Sequence, residues 1–102
     1  MSALKINKNE LEALMSGEKK LLLDFYAGWC GPCKMMGPII DEIAEDRPDI
    51  VVGKINVEEE VELASKFGVF SIPTLVVMEN GEIINKSSGF RPKAQVLAML
   101  EG

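Results

Sequence analysis

The stretch Leu21-Leu22-Leu23-Asp24-Phe25-Tyr26-Ala27 is apolar or aromatic at every position but one, over the length of a strand. A strand of that composition has no face to show to water. It belongs in the middle of a sheet with helices on both sides, and such sheets are built largely from parallel strands joined by helical crossovers. Asp24 is out of keeping with the run. Buried there, its carboxyl loses hydration and its pKa is expected to rise; the plainer reading is an acid at a strand edge that reaches water.

The strand leads into Gly28-Trp29-Cys30-Gly31-Pro32-Cys33, which holds both cysteines of the chain. If a helix starts after Cys30, a three-residue step is close to one turn, so both sulfurs come to one side and a short-range disulfide is sterically possible. Cys30 then stands at the first turn, where unpaired backbone N–H groups and the helix dipole favour an anion. Its thiolate is expected to be stabilised and its pKa lowered. Cys33 is expected to lie deeper and to be the weaker acid. Pro32 suits a helix start, because its missing N–H costs nothing there and its φ is already helical.

Three uses of the pair compete. A structural disulfide closing so small a loop removes little entropy from the unfolded chain. A tetrahedral zinc site needs four Cys or His ligands, whereas the chain has two Cys and no His. A reversible dithiol/disulfide couple is favoured, since Cys-x-x-Cys beside a βαβ pattern is a redox setting.

The remaining chain surrounds this junction with alternating strands and helices. Leu4 and Ile6 alternate with polar residues, and Asn7 with Glu10 resembles a capping box for a first helix carrying Leu11, Leu14 and Met15, with Gly17 as its C-terminal cap. After the cysteines, Met36, Ile39, Ile40, Ile43 and Ala44 fall at helical spacing, with Pro38 expected to kink the helix and Pro48 to help end it. Ile50 to Val57 read as a strand interrupted by Gly53 and Lys54. Glu58-Glu59-Glu60 is expected to form the solvated first turn of a helix that buries Val61, Ala64 and Phe67 and stops at Gly68. Asn80-Gly81 between two apolar runs predicts a hairpin of Thr74–Met78 with Ile83–Ser87, and Pro92 opens a last helix with Val96, Leu97 and Leu100. The order β-α-β-α-β-α-β-β-α gives an α/β fold, and 102 residues without a linker fit a single domain over residues 1–102. Cys30 falls just past the carboxyl end of the central strand, where open α/β sheets place their sites.

Asp24-Phe25-Tyr26-Ala27-Gly28-Trp29-Cys30-Gly31-Pro32-Cys33-Lys34-Met35, with Ile72-Pro73-Thr74, Asn80-Gly81 and Gly89, resembles the thioredoxin family over essentially the whole chain. The resemblance implies the thioredoxin fold, a central five-stranded mixed sheet flanked by four helices, and general protein-disulfide reduction as the activity. It implies that Cys30 is the attacking thiol and Cys33 the resolving thiol of a redox-active disulfide. Asp24 resembles the family's buried acid, able to take the proton from Cys33. Lys54 resembles the strand lysine near that acid, where its charge would oppose the rise in the Asp24 pKa. Pro73 matches the family's cis-proline, which would expose the preceding backbone to an extended substrate. Trp29, Gly31, Pro32, Ile72 and Gly89 would form an apolar substrate-binding rim, with Val57 and Phe90 as further candidates. No metal or bound organic cofactor is implied. Departures from the family pattern are modest: Tyr26 where Trp is frequent, Gly28 where a polar or charged residue is frequent, and Ser71, Ser87, Ser88 and Phe90 around the rim.

The implied partners are disulfide-containing substrate proteins and a thioredoxin reductase, NADPH- or ferredoxin-linked, acting on a monomer. A net charge of −5 with no basic stretch argues against nucleic acid as a partner. No run approaches membrane-spanning length, and Met1 to Glu10 lack an apolar export signal, so the expected compartment is the cytoplasm. An oxidase or isomerase on the same fold is the nearest rival, but Gly31-Pro32 between the cysteines resembles the reducing branch. A binding subunit that uses only the rim is a rival of another class. A glutaredoxin-like reading lacks an evident cationic site for glutathione carboxylates.

Overall fold

The computed structural model describes residues 3–101, and the elements follow the expected order. They are β1 (Leu4–Lys5), α1 (Lys8–Met15), β2 (Leu21–Tyr26), α2 (Gly31–Asp46), β3 (Val51–Asn56), α3 (Val61–Lys66), β4 (Thr74–Glu79), β5 (Glu82–Ser88) and α4 (Lys93–Glu101). The strands form one five-stranded sheet in the order β1-β3-β2-β4-β5. β3 runs parallel to both β1 and β2, whereas β4 is antiparallel to β2 and to β5. The sheet is therefore mixed and flanked by four helices.

β2 is central because its neighbours leave it no exposed edge, and every residue from Leu21 to Phe25 is buried. Alternation along it separates two cores. Leu22 packs with Met36, Ile40 and Ile43 of α2, Leu75 and Val77 of β4, and Val96, Met99 and Leu100 of α4. Leu21, Leu23 and Phe25 point the other way, to Leu11 of α1, Leu63 of α3 and Phe67. Asp24 shares the parity of Leu22 and so faces the α2 side.

The capping box is present in full: Asn7 accepts the Glu10 N–H and Glu10 accepts the Asn7 N–H, both at 2.9 Å. Gly53 is explained by space, since a Cβ there would stand 2.7 Å from Cδ1 of buried Ile6. The two-residue turn Asn80-Gly81 has φ of 53° and 78°, the left-handed pair that matches strand twist in a tight hairpin. No helix among the described residues is long and apolar enough to cross a membrane.

Two details differ from expectation. The acids Glu58 to Glu60 precede α3 instead of forming its first turn. They tie the amino-terminal segment down: Glu59 pairs with Lys5 at 2.8 Å and Glu60 accepts the Lys8 N–H at 2.8 Å. With the helix starting later, Val61 is 65% exposed and Leu63 takes the buried position. Gly17 follows the Ser16 cap without the positive φ of a glycine cap.

Candidate active site

The carboxyl end of β2 gives way at Ala27 to a turn in which the Cys30 N–H donates to the Ala27 carbonyl at 3.2 Å. Cys30 has extended backbone and caps α2, and Pro32 lies in the first turn, as a helix start requires. The Cys33 N–H donates to Cys30 Sγ at 3.2 Å, so the sulfur itself serves as the capping acceptor. Cys30 and Cys33 are joined in a disulfide, with Cα atoms 5.2 Å apart. The two residues are buried alike, at 4% and 5% exposure, so depth does not separate them as expected. What separates them is the hydrogen bond, because only the Cys30 sulfur sits in front of the helix N-terminus, where a negative charge is stabilised. Ala27 is buried against the pair, and Tyr26, Val57 and Ile72 pack around it.

A second segment faces the sulfurs from the loop before β4. The Ile72–Pro73 bond is cis, and the Ile72 carbonyl oxygen lies 3.9 Å from Cys30 Sγ. Pro73 is buried, and its carbonyl accepts the Gly89 N–H at 2.8 Å. Gly89 has φ of 90°, which a side chain would strain, so this glycine holds the end of β5 against the proline loop. Gly31 and Pro32 are exposed, and Trp29 is 70% exposed. Ile72 and Val57 are partly buried, and Phe90 stands at the edge of exposure. The sequence reading passed over Phe70, which is 96% exposed just ahead of Ile72, and Met35, exposed on α2. Met35 sits within a helical run and Phe70 in the loop between α3 and β4, and nothing in the sequence singled either out.

Asp24 is buried to 1% exposure, and its Oδ1 has no hydrogen-bond partner. Burial is the main cause that pushes its pKa up from 3.8 to about 7; the Lys54 charge opposes the rise and the Asp41 charge adds to it. Lys54 lies directly opposite Asp24 in the parallel β2–β3 register. Its ammonium nevertheless pairs with Asp41 Oδ1 on α2, at 3.2 Å. Gly37, one turn before Asp41, lies beside that cation, which a Cβ there would meet at 3.8 Å in ordinary contact. Asp41 reads in the sequence as part of the solvated side of α2, because its partner is fixed only by packing α2 on β3. No group of three or more His, Cys, Asp or Glu side chains among the described residues could hold a metal ion.

The arrangement is a reversible dithiol/disulfide couple at a helix N-terminus just past the end of β2, the strand that also carries a buried acid whose pKa is raised to about 7. Comparison with known proteins agrees. The thioredoxin family model matches residues 2–102. The chain is 42% identical over 95 residues to a thioredoxin of Mycoplasmoides gallisepticum, covering 93% of this chain and 95% of that protein. It is 47% identical over 79 residues to a thioredoxin of Bacillus subtilis, covering 76% of each. Among solved structures, mitochondrial thioredoxin 3 of Saccharomyces cerevisiae in its oxidised form superposes with a TM-score of 0.87 at 35% identity, over 98% of this chain and 95% of that one. A mutant thioredoxin from Halobacterium salinarum gives 0.91 at 37% identity, over 98% and 88%. A redox pair at the head of α2, a family match along nearly the full sequence and a shared fold lead to one conclusion: the chain belongs to the thioredoxin family, oxidoreductases that reduce disulfides by dithiol/disulfide exchange.

Proposed function

We propose that Cys30 is the attacking thiol of this exchange and Cys33 the resolving one, with Asp24 as the proton acceptor. The observation that carries the assignment is the Cys33 N–H directed at Cys30 Sγ, which gives a negative charge on that sulfur a donor that Cys33 lacks. The Cys30 thiolate attacks one sulfur of a substrate disulfide, forming a mixed disulfide and releasing the first substrate thiolate. The Cys33 thiol then passes its proton to the Asp24 carboxylate, and its sulfur attacks Cys30 Sγ. The mixed disulfide breaks, the second substrate thiolate leaves, and two electrons have passed to the substrate as the Cys30–Cys33 bond forms. Lys54 moderates the Asp24 carboxyl by its charge.

Trp29, Gly31, Pro32, Ile72, Pro73 and Gly89 receive the substrate in this reading. An extended peptide beside Ile72 can use main-chain groups, which every protein disulfide offers, so recognition does not depend on one side chain. The pair is returned to the dithiol by a thioredoxin reductase, as in the family. We further read the chain as one domain over residues 1–102, working as a cytoplasmic monomer whose reductase is NADPH- or ferredoxin-linked; supplying each reductase in turn to the oxidised protein tells the two apart. The thiol roles are tested by substitution. Cys33→Ser is expected to accumulate a covalent substrate adduct and Cys30→Ser to form none; equal adducts from both would overturn the assignment.

A further inference from the structure

The ion pair between Lys54 and Asp41 is not required by the exchange reaction, yet it occupies the cation that stands opposite the buried acid. Asp41 Oδ1 accepts the Ala3 N–H at 3.1 Å and meets Lys54 Nζ at 3.2 Å. The carboxylate is thereby held at a fixed point on α2, and the ammonium with it. Asp24, opposite Lys54 on the neighbouring strand, is left with an Oδ1 that has no partner. An ammonium on a flexible four-carbon stem would satisfy that oxygen if nothing else claimed it.

We propose that Asp41 is a positioning residue, whose carboxylate anchors the Lys54 ammonium against α2 and so keeps it from closing on the Asp24 carboxyl, which lies on the same face of the sheet. This rests on the reading of Asp24 as the proton acceptor only for its consequence. A cation drawn onto Asp24 would stabilise the carboxylate, make it a weaker base, and move its titration away from neutral pH. The charged groups acting on Asp24 are Lys54 from β3 and Asp41 from α2. β4 places Leu75 opposite it, and α4 brings Val96, Met99 and Leu100 to the same face. Cys33 titrates only when reduced, so the oxidised protein isolates the carboxyl.

The test follows the Asp24 side-chain carboxyl by carbon-13 NMR across pH in the oxidised full chain. Asp41→Asn keeps an acceptor for the Ala3 N–H and removes the charge. It is expected to lower the Asp24 midpoint by about one pH unit, and Asp41→Glu to restore it. Direct repulsion between the two acids would give the same sign, so the substitution is repeated in a Lys54→Met background. There the shift is expected to shrink to roughly half or less, because no cation remains to be released. An equal shift in both backgrounds, or none in either, overturns the proposal. If the midpoint moves through Lys54 while the pH profile of mixed-disulfide resolution stays fixed, Asp41 has the positioning role and Asp24 is not the proton acceptor.

Discussion

Asp24 joins sequence, stability and chemistry in a single side chain. A carboxyl in an otherwise apolar strand stands out in the sequence, and its burial raises the native pKa to about 7 from an ordinary 3.8. The native state therefore binds a proton that the unfolded chain releases between these values. The contribution of this one group to stability is fully present below about pH 4 and is lost as pH rises toward 7, by about 4 kcal/mol for a rise of this size. Asp24→Asn, which cannot ionise, is expected to unfold like the parent near pH 3.5 and to be more stable by a few kcal/mol at pH 8, as read by denaturant melts at both values. The same variant is expected to resolve mixed disulfides at least about a hundredfold more slowly near neutral pH, the usual range for loss of a general base; unchanged kinetics would remove the proton-transfer role. Cys30, Cys33 and Asp24 were legible because a rare residue or an apolar run marks each. Asp41 was not, since a half-exposed acid on an amphipathic helix carries no sign of which cation the fold brings to it.

Elements were legible where local chemistry decides them. The Asn7/Glu10 capping box and the Asn80-Gly81 hairpin formed as their residues require. Asn7→Ala removes one half of the box and is expected to cost about 1 kcal/mol in unfolding free energy, with no change in disulfide exchange. A loss below a few tenths of a kcal/mol would mean that tertiary contacts, not the cap, hold the start of α1. α3 shows where local chemistry is insufficient. The acid run promised a helix start, but Glu59 and Glu60 are engaged by Lys5 and the Lys8 N–H across a long sequence separation. That tertiary demand delays the helix and rotates its buried face from Val61 to Leu63. In α2, Pro38 lies inside the helix, and Met36, Ile40 and Ile43 on either side of it pack into the core.

Across the whole molecule, the mixed sheet brings distant segments to one end of β2. Its parallel partner β3 carries Lys54 to Asp24, its antiparallel partner β4 begins at the Ile72–Pro73 loop, and α2 starts with the cysteines. The general plan was readable from the order of elements and the apolar central strand, whereas the neighbours of each side chain depended on register. The central claim is that this assembly donates electrons. Its most direct test is the reduction potential of the Cys30–Cys33 couple, obtained by equilibrating the protein in defined thiol/disulfide buffers and following Trp29 fluorescence. A value well below the cytosolic glutathione poise is the predicted result, because such a dithiol reduces other disulfides. A value above it would mean that the pair prefers to give its disulfide away, and the protein would be an oxidase or isomerase on the same fold.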